Sequence, residues 1–355
     1  MDVLALYLPQ FHPIPENDEW WGPGFTEWTN VTRARPLFRG HLQPHLPADL
    51  GFTDLRVGEV REAQAALART YGVTAFCYWH YWFAGRQLLQ RPFDEVLASG
   101  RPDFPFCLAW ANQSWSGIWH GAPDKVLIEQ TYPGPGDDRA HFAHLLASFT
   151  DPRYVTVAGR PVFFVYQPGR LPDAARFVEE WQAMAHDAGL AGLYLVASLG
   201  ESDYRRPVED GFDAAVYFHY PFERTVAARV RERLIARGLA RGPRRFPYAA
   251  TLAEPPPTLG GRIFPSVYPN WDNTPRSGRR GVVATGATPD RFAAQVREAV
   301  ARLRACPADE QVLVIKSWNE WAEGNYLEPD REYGRQRLEA LARALTESGH
   351  AVPPA

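Results

Sequence analysis

Val312-Leu313-Val314-Ile315-Lys316-Ser317-Trp318-Asn319-Glu320-Trp321-Ala322-Glu323-Gly324 joins two kinds of sequence with no turn signal between them. The first four residues are an unbroken aliphatic run, the pattern of a strand covered on both faces. The rest carries two carboxylates three positions apart, Glu320 and Glu323, set among Trp318, Asn319 and Trp321. An α/β barrel presents such residues where its strands end, on the C-terminal face. Two nearby carboxyl groups in an aromatic setting suit sugar chemistry: one is kept protonated to donate, and the other stays ionised as base or nucleophile. Tryptophan faces pack against the C–H faces of a sugar ring. The competing reading of this string alone is a surface turn with two solvated glutamates.

Similar short apolar runs recur at Val3–Leu8, Val73–Trp79, Phe104–Trp110, Val162–Tyr166, Leu193–Ser198, Ala214–Phe218 and Ile263–Tyr268. Helical periodicity fills most of the intervals: 54–71, 139–149, 173–188 and 289–304, with 332–348 after the last run. Thr53, Pro172 and Thr288 are expected near helix starts, and Gly72 and Gly189 just past helix ends. Strands alternating with helices predict a parallel sheet. Eight runs predict a single-domain (β/α)8 TIM barrel over residues 1–355, with long βα loops. No Gly-x-Gly-x-x-Gly follows the first run, which disfavours a dinucleotide-binding sheet.

The ends of the runs point the same way. They read Tyr7 to His12, Tyr78-Trp79-His80-Tyr81-Trp82, Trp110-Ala111-Asn112-Gln113-Ser114-Trp115, Tyr166-Gln167, Tyr217-Phe218-His219-Tyr220, Tyr268-Pro269-Asn270-Trp271-Asp272-Asn273 and Trp318-Asn319-Glu320. A barrel gathers these ends on one face. The expected sugar-contacting residues are Glu27, Trp28, Tyr78, Trp79, His80, Trp110, Asn112, Tyr166, His219, Tyr268, Trp271, Trp318 and Asn319, around Glu320 and Glu323. For any one of these aromatic or histidine residues, a place in the core is an equal alternative. Residues 9–53 form a long Pro- and Gly-rich segment with Trp20, Trp21 and Glu27, expected to wall or cover the barrel mouth. Glu27 there either contacts sugar hydroxyls or pairs with Arg33 or Arg35. Residues 238–261 read as a solvated connection, and the basic stretch 229–237 as a solvated helix face.

Composition narrows the partners. The formal net charge of -3 over 355 residues gives no basic field for nucleic acid or an anionic membrane surface. No apolar run reaches bilayer length, and no basic leader opens the sequence, so a cytoplasmic location is expected. Cys77, Cys107 and Cys306 are too few and too scattered for a disulfide or zinc framework, and the first two fall in apolar runs as buried thiols. His41 and His45 have i, i+4 spacing, but Pro44 between them argues against a metal-binding helix. There is no Asp-x-Asp and no phosphate-binding loop. No metal and no cofactor are expected, and the partner is an oligosaccharide or polysaccharide.

Tyr7-Leu8-Pro9-Gln10-Phe11-His12, the stretch from Trp20 to Trp28, Gln43-Pro44-His45 and the stretch from Trp318 to Gly324 together resemble the WbsX-type proteins. That family is labelled glycosyltransferase and found with bacterial O-antigen and other surface-polysaccharide genes. It is similar to the endo-α-mannosidases of glycoside hydrolase family 99. The resemblance implies a (β/α)8 barrel acting on an α-glycosidic bond with retention. It further implies that Glu320 is the base that deprotonates the sugar 2-hydroxyl, giving a 1,2-anhydro intermediate, and that Glu323 is the acid/base at the leaving oxygen. Ala322 stands where the mannosidases have His, which leaves the substrate open. Hydrolysis or transglycosylation is the preferred reading. Glycosyl transfer in surface-polysaccharide biosynthesis and a non-catalytic glycan-binding barrel are the alternatives.

Overall fold

The computed structural model describes residues 1–117, 122–199, 204, 206–218, 230, 233–234, 242–252 and 261–352. The central sheet contains nine parallel strands: β1 (Asp2–Tyr7), β2 (Ala75–Phe83), β3 (Phe106–Trp110), β4 (Arg160–Val165), β5 (Tyr194–Leu199), β6 (Ala214–Tyr217), β7 (Arg262–Phe264), β8 (Ser266–Val267) and β9 (Val312–Ile315). Their order is β7-β6-β5-β4-β3-β2-β1-β9-β8. The two edge strands are therefore consecutive pieces of one extended run, interrupted only at Pro265. Proline has no N–H for the ladder, so pairing breaks there. Its carbonyl still accepts from Val314 N at 3.0 Å, next to the β8–β9 pairing of Ser266 with Val314. The result is a nearly closed α/β barrel, and the seventh expected strand is the one that is split.

The barrel strands are mostly apolar, aliphatic or aromatic, because both faces are covered, one by barrel interior and one by helices. Val312 to Ile315 are wholly buried. The helices whose bounds lie among the described residues are α1 (Pro15–Trp21), α2 (Glu27–Arg33), α3 (Gly58–Thr70), α4 (Arg91–Ser99), α5 (Pro135–Phe149), α6 (Ala174–Asp187), α7 (Thr274–Ser277), α8 (Pro289–Leu303) and α9 (Gln336–Glu347). Asp173 caps α6 by accepting from Arg176 N, and Thr288 caps α8 by accepting from Arg291 N. Thr53 does not cap α3: that helix starts four residues later than its periodicity suggests, after Val57.

The long 9–53 segment is more ordered than a bare loop. It folds into α1 and α2 and then runs along the barrel mouth, fixed by Asp272. Asp272 Oδ2 accepts from His41 Nε2 and Gln43 Nε2, each at 2.7 Å, and Oδ1 accepts from Thr274 Oγ1 at 2.6 Å. Cys77 and Cys107 are buried free thiols. His219, most of 229–237 and half of the 238–261 connection lie outside the described residues. Within that connection, Arg244–Pro247 forms a parallel pair with Val282–Thr285. Among the described residues no helix is long and apolar enough to cross a membrane.

Candidate active site

β9 ends in a cis Lys316–Ser317 peptide and leads into a tight hairpin, with Asn319–Glu320 antiparallel to Asn325–Tyr326. A single 3-10 turn, Trp321–Glu323, joins the two sides. Gly324 closes the turn at φ +63, and a Cβ there would stand 2.9 Å from the backbone N of Asp272. Both the left-handed conformation and the close approach require glycine. Asn319 ties the hairpin to the end of β1: its Oδ1 accepts from Leu8 N at 2.7 Å and its Nδ2 donates to Leu8 O at 3.0 Å. Behind the hairpin, the buried Glu328 accepts from Trp318 Nε1 at 3.1 Å, Trp321 Nε1 at 2.5 Å and Gln64 Nε2 at 2.6 Å. These contacts leave Glu320 and Glu323 facing the barrel mouth.

Both glutamates border a cleft of about 390 Å³, walled by the rings of Trp21, Trp79, Tyr81, Trp115 and Tyr166. Arg276 of α7 joins three carboxylates at one guanidinium. Nη2 donates to Glu320 at 2.6 Å, Nη1 to Glu323 at 2.8 Å and Nε to Glu27 at 3.1 Å. Burial works against the charge on Arg276, but the three carboxylates outweigh it and push its pKa up. Burial raises Glu27 despite that partner. Glu320 is pushed up to about 7, first by burial, with Glu323 and Glu27 adding like-charge repulsion and Arg276 and Lys316 pulling the other way. The Tyr81 phenol is driven upward by burial and by the charge on Glu320, so it remains a hydroxyl donor.

Of the residues expected from sequence, Glu27, Trp79, Tyr166, Glu320 and Glu323 come together around this cleft. His219 lies outside the described residues, and the others stand elsewhere. Tyr78 packs on Phe93 of α4, and His80 meets His141 of α5 at 2.8 Å. Side chains alternate along a strand, so these two face helices while Trp79 and Tyr81 face the mouth. Trp110 is buried against His141 and Phe177. Asn112 stitches two loops together, bonding Gln167 N and O and the Tyr132 hydroxyl. Trp28 donates its indole N–H to Thr53 O and packs on Phe11 and Trp321. Trp318 is wholly buried, and the Asn319 side chain is spent on Leu8. Tyr268 and Trp271 sit in a separate apolar cluster with Tyr248, although the Lys316 ammonium, which borders the cleft, lies 5.4 Å from the Trp271 ring. Glu27 pairs with Arg276, not with Arg33 or Arg35.

Arg276, Lys316 and Asn17 border the cleft without having been expected as sugar contacts, and so do Tyr81 and Trp115, which lie within the strand ends quoted above. Tyr81 was accessible from strand parity, two positions after Trp79. Arg276 lies in Thr274-Pro275-Arg276-Ser277, a short helix that carries no motif of its own.

The fold is an α/β barrel similar to that of solved glycoside hydrolases. A glycoside hydrolase-like protein matches with a TM-score of 0.62 at 14% identity, over 97% of this chain and 93% of its own. The GH99 endo-α-mannosidase from Bacteroides thetaiotaomicron matches with a TM-score of 0.56 at 14% identity, over 98% and 97%. At that identity the likeness speaks for the fold alone. More particularly, residues 3–341 match the family described as Glycosyltransferase WbsX, and the chain belongs to it. The uncharacterized protein WxcX from two strains of Xanthomonas campestris pv. campestris is 41% identical over 347 residues. That match covers 98% of this chain and 50% of WxcX, so the chain spans about half the length of the curated relatives it matches.

Proposed function

We propose that this chain is a carbohydrate-active enzyme that works with retention on an α-glycosidic bond of a bacterial surface polysaccharide or its oligosaccharide. One observation carries the reading. Two carboxylates sit on two nitrogens of one guanidinium, beside an open cleft walled by aromatic rings, and one of them titrates near neutrality. A carboxylate with a pKa of about 7 is a far better base than an ordinary glutamate and is still ionised in part at neutral pH.

In the proposed cycle Glu320 takes the proton of the sugar 2-hydroxyl. The freed oxygen attacks C1 and forms a 1,2-anhydro sugar as the C1 leaving oxygen departs with a proton from Glu323, which enters the cycle as the acid and not as the carboxylate that Arg276 holds in the ligand-free site. Water or a sugar acceptor then gives a proton to Glu323 and attacks C1. The C1–O2 bond breaks, and O2 recovers its proton from Glu320. Two displacements at C1 amount to retention. Glu27 would hold substrate hydroxyls without taking part in bond cleavage. Trp79, Tyr166 and Trp115 supply ring faces for stacking.

Transfer from a nucleotide-activated donor is the second reading, favoured by the description of the family. Incubation with aryl α-glycosides and α-linked bacterial surface oligosaccharides, with and without nucleotide sugars, separates the two. Turnover without any nucleotide supports the first reading, and turnover only with one supports the second. Glu320→Gln and Glu323→Gln should each stay folded and lose about 10²–10⁴ in rate. Near-wild-type turnover in either variant removes that residue from the mechanism.

A further inference from the structure

Asn17 borders the cleft from α1, yet it is completely buried, and neither its Oδ1 nor its Nδ2 has a hydrogen-bond partner. Native proteins rarely leave both ends of a buried carboxamide unmatched, because the desolvation penalty is then uncompensated. Its sequence neighbour shows the contrast. Asp18 is spent on local structure, accepting from Gly24 N at 2.8 Å and Phe25 N at 3.3 Å to fix the chain between α1 and α2. Asn17 performs no such task. Trp21 follows one helical turn later, which places it on the same face of α1, and its half-buried ring borders the same cleft.

We propose that Asn17 and Trp21 form a glycan subsite, separate from the bond-cleaving carboxylates, that takes a pyranose with two adjacent free hydroxyls. The proposal rests on the glycan reading above. Asn17 is closed off in the ligand-free structure, so the sugar reaches it as α1 shifts; one hydroxyl then donates to Asn17 Oδ1 and its neighbour accepts from Asn17 Nδ2, which satisfies both orphaned atoms at once. The Trp21 face covers the C–H side of the ring. A neutral carboxamide also suits a wall shared with Glu27, because it adds no charge next to a carboxylate already raised by burial. Selectivity follows from the same geometry. A site built to hydrogen-bond hydroxyls rejects a sugar that lacks one, because its own polar groups are then left unpaired.

The test is calorimetric titration of the wild-type chain and Asn17→Leu with defined α-linked oligosaccharides, beside thermal melts of the ligand-free proteins. Asn17→Leu keeps the volume and removes the orphaned atoms. It should melt no lower than wild type and bind the recognised glycan on the order of tenfold more weakly. A deoxy analogue lacking one of the paired hydroxyls should bind wild type more weakly and the variant no differently from the parent sugar. Unchanged affinity with a lowered melting temperature would make Asn17 a structural residue and overturn the subsite while leaving the glycan reading intact. Affinity lost for a nucleotide but kept for the glycan would also overturn it. If wild type binds and turns over no glycan, the glycan reading falls and the subsite falls with it. Should Asn17→Leu fail to fold, Asn17→Ala provides the same comparison.

Discussion

Arg276 Nη2 donates to Glu320 Oε1 across 2.6 Å, and Nη1 of the same guanidinium donates to Glu323 Oε1 across 2.8 Å. The planar fork sets the spacing of the two carboxylates, and neither can turn without breaking a charge-assisted bond. The fork comes from a four-residue helix, α7, whose position is fixed in turn by Asp272.

Arg276→Lys should fold but lose roughly 10²-fold in turnover, since a point charge cannot hold three carboxylates in register and small misplacements are costly. Arg276→Met removes the countercharge from three buried carboxylates and should cost about 3–5 kcal/mol at neutral pH. Steady-state kinetics and denaturant melts of both variants check this. Wild-type turnover in Arg276→Lys would show that the fork does not set the geometry.

The rate should rise with pH through about 7, because the proposed base works only when Glu320 is ionised. Glu27 carries a negative charge that helps to push Glu320 up. Glu27→Gln removes that charge, so the rising limb of kcat/KM should move to lower pH. The same variant should weaken substrate binding more than it slows the chemical step. A limb that stays in place would detach Glu320 from the observed titration.

Much of this arrangement is legible in the sequence, and what is not has a physical reason. The strands are visible because two covered faces demand mostly apolar runs, and Glu320 and Glu323 follow directly after one of them. Orientation is harder to read. Tyr78, Trp79 and His80 are all plausible sugar contacts by residue type, but alternation sends only Trp79 to the mouth and the other two into α4 and α5. The seventh run reads as one strand by its apolar content, and Pro265 inside it is what splits the strand. Arg276 could not be found this way, because its three partners lie 249, 44 and 47 positions away and only closure of the barrel brings them together.

Glu328 gives a stability signature. It is buried with three neutral donors and no cation among its hydrogen-bond partners, and burial pushes it to about 7. Its folded pKa therefore lies above the value of about 4.3 expected in the unfolded chain. Its contribution to stability is full below that lower value and is lost as pH rises through about 7. Melting temperature should fall between about pH 4 and 7, and Glu328→Gln should flatten part of that fall. Glu320 has the same sign, so some slope should remain. A variant whose stability changes with pH as steeply as wild type would acquit Glu328.

Asp272 should show the opposite dependence. Burial pushes its carboxyl up, but hydrogen bonds from His41, Thr274 and Gln43 together hold it below its ordinary value. A lowered carboxylate contributes stability that is full above the unfolded pKa, about 3.9, and is lost as pH falls below it. His41 Nδ1 accepts from Leu37 N at 3.0 Å, so the ring proton resides on Nε2 and points at Asp272. Every side-chain contact of Asp272 is thus from a donor. Asp272→Asn replaces one accepting oxygen with an NH₂ group that must face either His41 and Gln43 or the donors of Thr274. The cost should be roughly 1.5–3 kcal/mol at pH 7, with the loss of stability on acidification reduced. Turnover should fall as well, because the Asp272 N–H donates to Glu323 O at 2.6 Å and Arg276 follows four residues later. Denaturant melts at pH 7 and near pH 3.5, beside kcat measured at full occupancy, separate the two effects. A variant with wild-type kcat and lowered stability would leave Asp272 as an anchor of the 9–53 segment with no hold on the carboxylates.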